Sequence, residues 1–108
     1  MVEKDIQHYL PLTESTYYIM LALQEPVHGY RVIQMVEEMS QGLVRMGPGT
    51  LYGVFSTLEK EGLILKTGEE ERRKYYTLTD KGKCVLKGQI QRLEAMVAAG
   101  TTAKIALG

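Results

Sequence analysis

Apolar positions along this chain follow helical spacing in several stretches and alternate only briefly between them. Residues 1–12 show no clear period, and Pro11 halts any helix before it, so this segment reads as an arm with a short helical piece around Ile6 to Leu10. Thr13 suits an N-cap and Glu14 suits the first turn of a helix running to about Gln24. That helix is apolar on more than one side through Tyr17, Tyr18, Ile19, Met20, Leu21, Ala22 and Leu23, which predicts cover nearly all round and, in so small a domain, a partner subunit. Glu25-Pro26 ends it. His28-Gly29-Tyr30 opens a second helix to about Ser40, with Tyr30, Val32, Ile33 and Val36 inward, Arg31, Gln34, Glu37 and Glu38 outward, and Gln41-Gly42 as its stop.

Leu43-Val44-Arg45 reads as a short edge strand. A third helix spans residues 48–61: Pro48 fits a first helical position, and Leu51, Val54, Phe55 and Leu58 form one apolar stripe. Gly62 is placed to end it in a left-handed conformation. Leu63 to Lys66 is strand-like, Thr67 to Glu71 is a polar turn, and Arg72 to Leu78 returns as a strand rich in β-formers. Thr79 caps a last helix from about Asp80 to Ala98, where Leu86, Ile90, Leu93 and Val97 make a helix–helix seam. Gly100 reads as a stop, with residues 101–108 as a tail or short extra helix. The order predicts a mainly α fold with a small β-hairpin: a winged helix-turn-helix with an N-terminal arm over residues 1–78, and a C-terminal dimerisation helix and tail over 79–108, in one compact unit.

Composition changes this picture little and charge changes it more. The chain has 108 residues, formal net charge zero and one cysteine, so neither an internal disulfide nor a cysteine-rich zinc site is available. The N-terminus lacks the apolar core of a secretory signal and no apolar run is long enough to span a bilayer, which leaves a cytoplasmic protein without a membrane partner as the expectation. Zero net charge argues against nucleic acid only if charge is spread evenly. The first half is acidic through Glu14, Glu25, Glu37 and Glu38, whereas Lys66, Arg72, Arg73, Lys74, Lys81, Lys83 and Lys87 gather in the second.

The third helix carries Gly49, Gly53, Ser56 and Lys60 on the side opposite its apolar stripe. Two glycines within a helix cost roughly 1 kcal/mol each relative to alanine, so close approach to another surface should compensate. A DNA major groove is one such surface, and a second protein helix is the other. The Arg72-Arg73-Lys74 run would meet phosphates or the adjacent minor groove; its rival role is self-pairing with Glu69, Glu70 and Glu71. Tyr52 flanks the exposed helix face and could donate its hydroxyl to phosphate, while Tyr30 is placed in the core, and Cys84 is an incidental small residue. No catalytic motif, phosphate-cradling loop or metal-ligand spacing occurs, so neither an enzyme nor a cofactor is expected.

Five segments, in order, resemble the PadR family of bacterial transcriptional regulators: Leu12 to Ile19, His28-Gly29-Tyr30, Gly47 to Tyr52, Leu58 to Ile64, and Arg72 to Gly82. The resemblance covers roughly residues 12–85. It implies a winged helix-turn-helix with its recognition helix on Gly47 to Glu61 and its wing on Leu63 to Leu78. It also implies a homodimer built by the C-terminal and first helices, and repression of a nearby promoter. A single C-terminal helix resembles the compact subfamily. The lack of tryptophan departs from its drug-sensing members, so an effector site would draw on Tyr17, Tyr18, Met20 and Met96.

The expected partners are therefore double-stranded DNA, a second copy of the chain, and a small-molecule effector as the means of release. Gly49, Thr50, Tyr52, Gly53, Ser56 and Lys60 are assigned to the major groove, and Lys66, Arg72, Arg73 and Lys74 to phosphates. Tyr17, Tyr18, Leu21, Leu86, Ile90, Leu93 and Val97 are assigned to dimerisation. The alternative is a winged-helix protein-interaction module that never touches DNA.

Overall fold

A computed structural model describes residues 6–108; the part of the arm at residues 1–5 lies outside the described residues. A 3-10 turn at Gln7–Tyr9 precedes α1 (Glu14–Ala22), β1 (Val27–His28), α2 (Gly29–Met39), α3 (Pro48–Lys60), β2 (Ile64–Glu70), β3 (Arg73–Leu78) and α4 (Asp80–Leu107). The strands form one antiparallel three-stranded sheet in the order β1-β3-β2. Helices α2 and α3 make the helix-turn-helix, and the β2–β3 hairpin is the wing beside it. The expected mainly helical winged helix-turn-helix with a C-terminal helix is thus the observed fold.

Local chemistry accounts for the helix ends. Thr13 Oγ1 accepts the Thr16 N–H at 3.1 Å, and His28 Nδ1 accepts the Arg31 N–H at 3.3 Å, so each side chain satisfies an orphan donor of its helix. At the C-terminus of α3, Gly62 adopts φ +76°, the Leu63 N–H donates to the Leu58 carbonyl at 2.9 Å, and the Gly62 N–H donates to the Glu59 carbonyl at 3.0 Å. This paired pattern closes the helix and turns the chain into β2.

The core lies where α1, α2, α3 and the start of α4 meet the sheet. Ile19, Met20, Val32, Leu51, Leu63 and Val85 are fully enclosed there. Phe55 and Tyr76 pack ring to ring, 4.8 Å between centroids, and fasten α3 to the wing. Gly82 sits so close to β2 that a Cβ there would overlap the Leu63 carbonyl.

Four expectations are corrected. Leu43–Arg45 is not a strand: the Val44 N–H donates to Ser40 Oγ at 2.9 Å, which folds the segment back on the end of α2, and the third strand is Val27–His28. The wing strands run on to Glu70 and from Arg73, so the turn is only Glu71–Arg72, and Arg72 belongs to the tip instead of the strand. Helix α4 does not stop at Gly100 but continues to Leu107, because an isolated glycine among alanines weakens a helix without ending it. Tyr30 is not a core residue; it is 65% exposed. Helical spacing from buried Val32 and Val36 puts position 29 on the inward side and position 30 nearly opposite.

Two glycines give opposite expectations in urea denaturation. Gly82→Ala should lose about 1–3 kcal/mol, since the Leu63 backbone cannot move aside. Gly53→Ala should gain about 0.5–1 kcal/mol, since nothing lies within 4 Å of its Cβ position and alanine is the better helix former. An unchanged Gly82→Ala midpoint would contradict the packing described.

Candidate nucleic-acid interface

Helix α3 buries Leu51, Phe55 and Leu58 and leaves the opposite arc open. Gly49, Thr50, Gly53, Ser56 and Lys60 are all exposed, and Cβ atoms built on Gly49 or Gly53 would find no neighbour within 4 Å. Among the described residues, no part of the fold therefore needs these glycines for close packing. Thr57, not singled out from the sequence, shares this arc and donates its hydroxyl to the Gly53 carbonyl at 3.2 Å. Helical spacing would have found it, because it lies one turn beyond Gly53. The N-cap, Gly47, offers no side chain to the first-turn N–H groups, which stay available to an anion.

On the wing side of this arc stands Tyr52, half exposed, its ring edge-on to Phe55 at 5.8 Å. Its hydroxyl lies over Gly29, where a Cβ would stand 2.5 Å from the phenolic oxygen. The missing side chain at Gly29 thus lets Tyr52 lean across the start of α2. Beside it opens a cleft of about 490 Å³ lined by His28, Tyr30, Tyr52, Arg72, Arg73 and Lys74. His28 and Tyr30 join the site only through tertiary folding, because β1 pairs with β3 and sets His28 opposite Tyr75.

Charge within the wing is segregated. Glu69, Glu70 and Glu71 are not part of the cleft lining, whereas Arg72, Arg73 and Lys74 are. Among the described residues none of these three cations is ion-paired; the Glu69 carboxylate turns to Lys66 at 3.0 Å although Lys74 is its cross-strand neighbour. Lys66 is thereby partly neutralised, and among the described residues none of the rival self-pairing of Glu69, Glu70 and Glu71 with Arg72, Arg73 and Lys74 is present. Burial holds the His28 imidazole below its ordinary pKa, and the charges of Arg73 and Arg31 lower it further. A neutral ring is also what its capping role requires, since Nδ1 must accept. Burial, with Glu59 nearby, pushes the Tyr76 phenol up.

The wing tip carries a conformational cost. Glu71 and Arg72 have φ of 52° and 68°, the left-handed geometry of a two-residue hairpin turn that asparagine and glycine adopt readily. For other residues it costs roughly 1–2 kcal/mol each.

The residues assigned to dimerisation lie away from this face. Leu86 is buried in the chain's own core, Ile90 and Leu93 are half-buried, and Val97 is 66% exposed. Tyr17, Tyr18 and Leu21 are half-buried on α1. From Glu94 onward every residue of α4 is exposed, including Met96, Val97, Ile105 and Leu107. Between α1 and α4 lies a second groove of about 340 Å³, bounded by Leu12, Tyr17, Tyr18, Gln89, Leu93 and Met96. Met20, expected to serve an effector site, is instead fully buried in the core. Among the described residues there is no cluster of side chains suited to a metal ion, and no helix is long and apolar enough to cross a membrane.

Comparison with known proteins agrees with this fold. A structure of a transcriptional regulator from Clostridium thermocellum is 26% identical, covers 94% of this chain and 96% of its own, and superposes with a TM-score of 0.67. A PadR-like transcription factor from Bacteroides fragilis is 27% identical, covers 96% of this chain and 99% of its own, with a TM-score of 0.62. Among curated proteins, the transcriptional regulator YqjI of Escherichia coli is 31% identical over 67 residues, which is 62% of this chain and 32% of that protein. An uncharacterised transposon-borne protein of Streptomyces fradiae is 34% identical over 70 residues, or 64% of this chain and 20% of its own length. The chain thus spans a third or less of these two curated relatives. The family model described as the transcriptional regulator PadR-like family matches residues 19–88, and the chain belongs to that family.

Proposed function

We propose that this transcriptional regulator is a homodimeric DNA-binding repressor acting on a pseudo-palindromic operator. The observation that carries this reading is the cleft beside α3, where, among the described residues, Arg72, Arg73 and Lys74 have no carboxylate partner and no acidic side chain joins the lining. Local field, not net charge, governs phosphate binding, so a neutral chain is compatible with it. In this reading the Gly49–Lys60 arc enters the major groove, with Gly49 and Gly53 admitting the helix backbone close to the bases. Thr50, Tyr52 and Ser56 make polar contacts at its edge, Lys60 lies near its end, and Lys66, Arg72, Arg73 and Lys74 hold phosphates.

Residues 1–78 then form the reading head and residues 79–108 the pairing element. The stretch of α4 beyond Leu93 favours a dimer, since it exposes Met96, Val97, Ile105 and Leu107 and carries charge only at Glu94 and Lys104. A long helix so bare of charge is unfavourable in water unless covered. Tyr17, Tyr18 and Leu21 of α1, with Ile90, Leu93 and Val97, would share the contact, while Leu86 would support it from within the core. Two-fold pairing would set half-sites about one helical turn apart. The groove between α1 and α4 would admit a small apolar effector, which would act by favouring one angle between the heads.

Two measurements test the reading. Binding to the chain's own upstream region, or to duplexes enriched from a random library, should weaken steeply with salt. Arg73→Ala with Lys74→Ala, which removes two phosphate contacts from each protomer of the dimer, should lower the log–log salt slope by about 3–4 and weaken binding alike on all sequences. A protein-interaction module that avoids DNA would show no duplex binding at any salt, which would sink the repressor. In sedimentation, the wild type should run as a dimer and Val97→Glu with Ile105→Glu as a folded monomer. A monomeric wild type at micromolar concentration would sink the pairing assignment.

A further inference from the structure

We infer that His28 is a phosphate-contact residue of the operator interface: while Nδ1 caps α2, Nε2 donates its N–H, on an uncharged ring, to a backbone phosphate that Arg73 also holds. This rests on the DNA-binding reading above and adds to it a contact that carries no charge.

The first observation is how the ring is held. Nδ1 accepts the Arg31 N–H at 3.3 Å, so the one proton of the neutral ring sits on Nε2. The Tyr75 ring stands edge-on to it, 86° between planes and 5.5 Å between centroids, and β1 pairs His28 with Tyr75 across the sheet. A donor fixed in this way loses little freedom when it is used.

The second observation is where that donor stands. His28 lines the cleft, and its Nε2 has no hydrogen-bond partner among the described residues. Arg73 lies two residues along β3 from Tyr75, hence on the same face of the sheet as His28. The charged side chains of the lining, Arg72, Arg73 and Lys74, are all cations, and Arg31 beside the cap is another. These charges draw in an anion and oppose a proton on Nδ1. An anion held by Arg73 on this face meets the Nε2–H as well.

The third observation is the choice of residue. Helices α1 and α4 are capped by Thr13 and Thr79. Threonine, serine, asparagine and aspartate are the favoured caps, and each side chain ends at its capping group. Histidine adds a donor on the far side of the same ring. Capping alone gives no reason for an imidazole at this place.

Two substitutions take the two nitrogens apart. His28→Asn keeps an acceptor near the position of Nδ1 and has nothing at Nε2, whereas His28→Gln carries an amide donor out to Nε2 and gives up the cap. Both full-length variants are compared with wild type for melting temperature and, well below melting, for binding to an enriched duplex across a salt series. His28→Asn should melt like wild type and bind roughly tenfold more weakly, since each protomer loses a hydrogen bond to a charged group. Its salt slope should be unchanged, because no cation has been removed. His28→Gln should melt lower by about 4 °C yet bind more tightly than His28→Asn. Nitrogen NMR of labelled wild type at neutral pH should show the His28 ring protonated at Nε2 alone. Wild-type affinity in His28→Asn, a slope lowered by about 2 as for a charged ring in each protomer, binding by His28→Gln no better than by His28→Asn, or a proton on Nδ1 would each overturn the contact and leave the DNA-binding reading standing. If wild type binds no duplex, both fall.

Discussion

The junction between α3, β2 and α4 is the constraint on which the rest of the molecule depends. Thr79 serves three purposes there: its N–H donates to the Leu63 carbonyl at 3.0 Å, its hydroxyl donates to the Gly62 carbonyl at 2.6 Å, and the same oxygen accepts the Gly82 N–H at 3.0 Å. One threonine thereby caps α4 and ties it to the turn that ends α3. Lys81 adds a second tie, donating to the Glu61 carbonyl at 2.9 Å while its ammonium lies 4.9 Å from the centre of the Tyr9 ring. Its charge suits the electronegative C-terminus of α3. Gly82 allows the contact to close, because any Cβ there would strike the chain it must touch.

That junction joins two elements with different tasks. Helix α4 extends beyond the body and exposes its second half, while α3 presents the open arc beside the cationic cleft. Although the whole wing intervenes in sequence, the hydrogen bonds of Thr79 and Lys81 to the Glu61, Gly62 and Leu63 carbonyls hold the start of α4 directly against the end of α3 and the entry to β2. Phe55 against Tyr76 carries the same constraint into the wing. At the other end of the body, the Leu12 N–H donates to the buried Gln89 Oε1 at 2.9 Å, and Ile6 and Leu10 reach within 3.1 Å of a Cβ placed on Gly88. The arm is thus packed on α4 as well. A ligand in the neighbouring groove would touch Leu12 and Gln89 together.

Stability and recognition are drawn from different parts of the same elements. Inward residues of α3 pack, while its outward glycines forgo helix propensity with no compensating contact among the described residues. At the wing, Tyr76 and Leu78 are buried at one end of β3, and the other end bends into a turn that its residues do not favour. Local rules of sequence fail at these two places, and such failures cluster where a surface serves something other than folding.

The order of the four helices and the hairpin, the capping roles of Thr13 and Thr79, the helix start at Pro48 and the left-handed stop at Gly62 were legible in the sequence, because each depends on a few adjacent residues and their backbone preferences. The bare arc of α3 was legible for the same reason, since helical periodicity alone separates Leu51, Phe55 and Leu58 from Gly49 and Gly53. Contacts between distant segments were not. Val27–His28 becomes a strand only because β3 offers it a partner, Val44 bonds to Ser40 at the end of α2 instead of to a sheet, and Tyr30 reaches the cleft only because Gly29 turns inward beneath Tyr52. The segregation of wing charge was likewise decided by the hairpin register and by Lys66 drawing Glu69 aside. Pairings that span many residues are selected by packing and hydrogen bonding in three dimensions, and no local pattern in the chain encodes which partner will win.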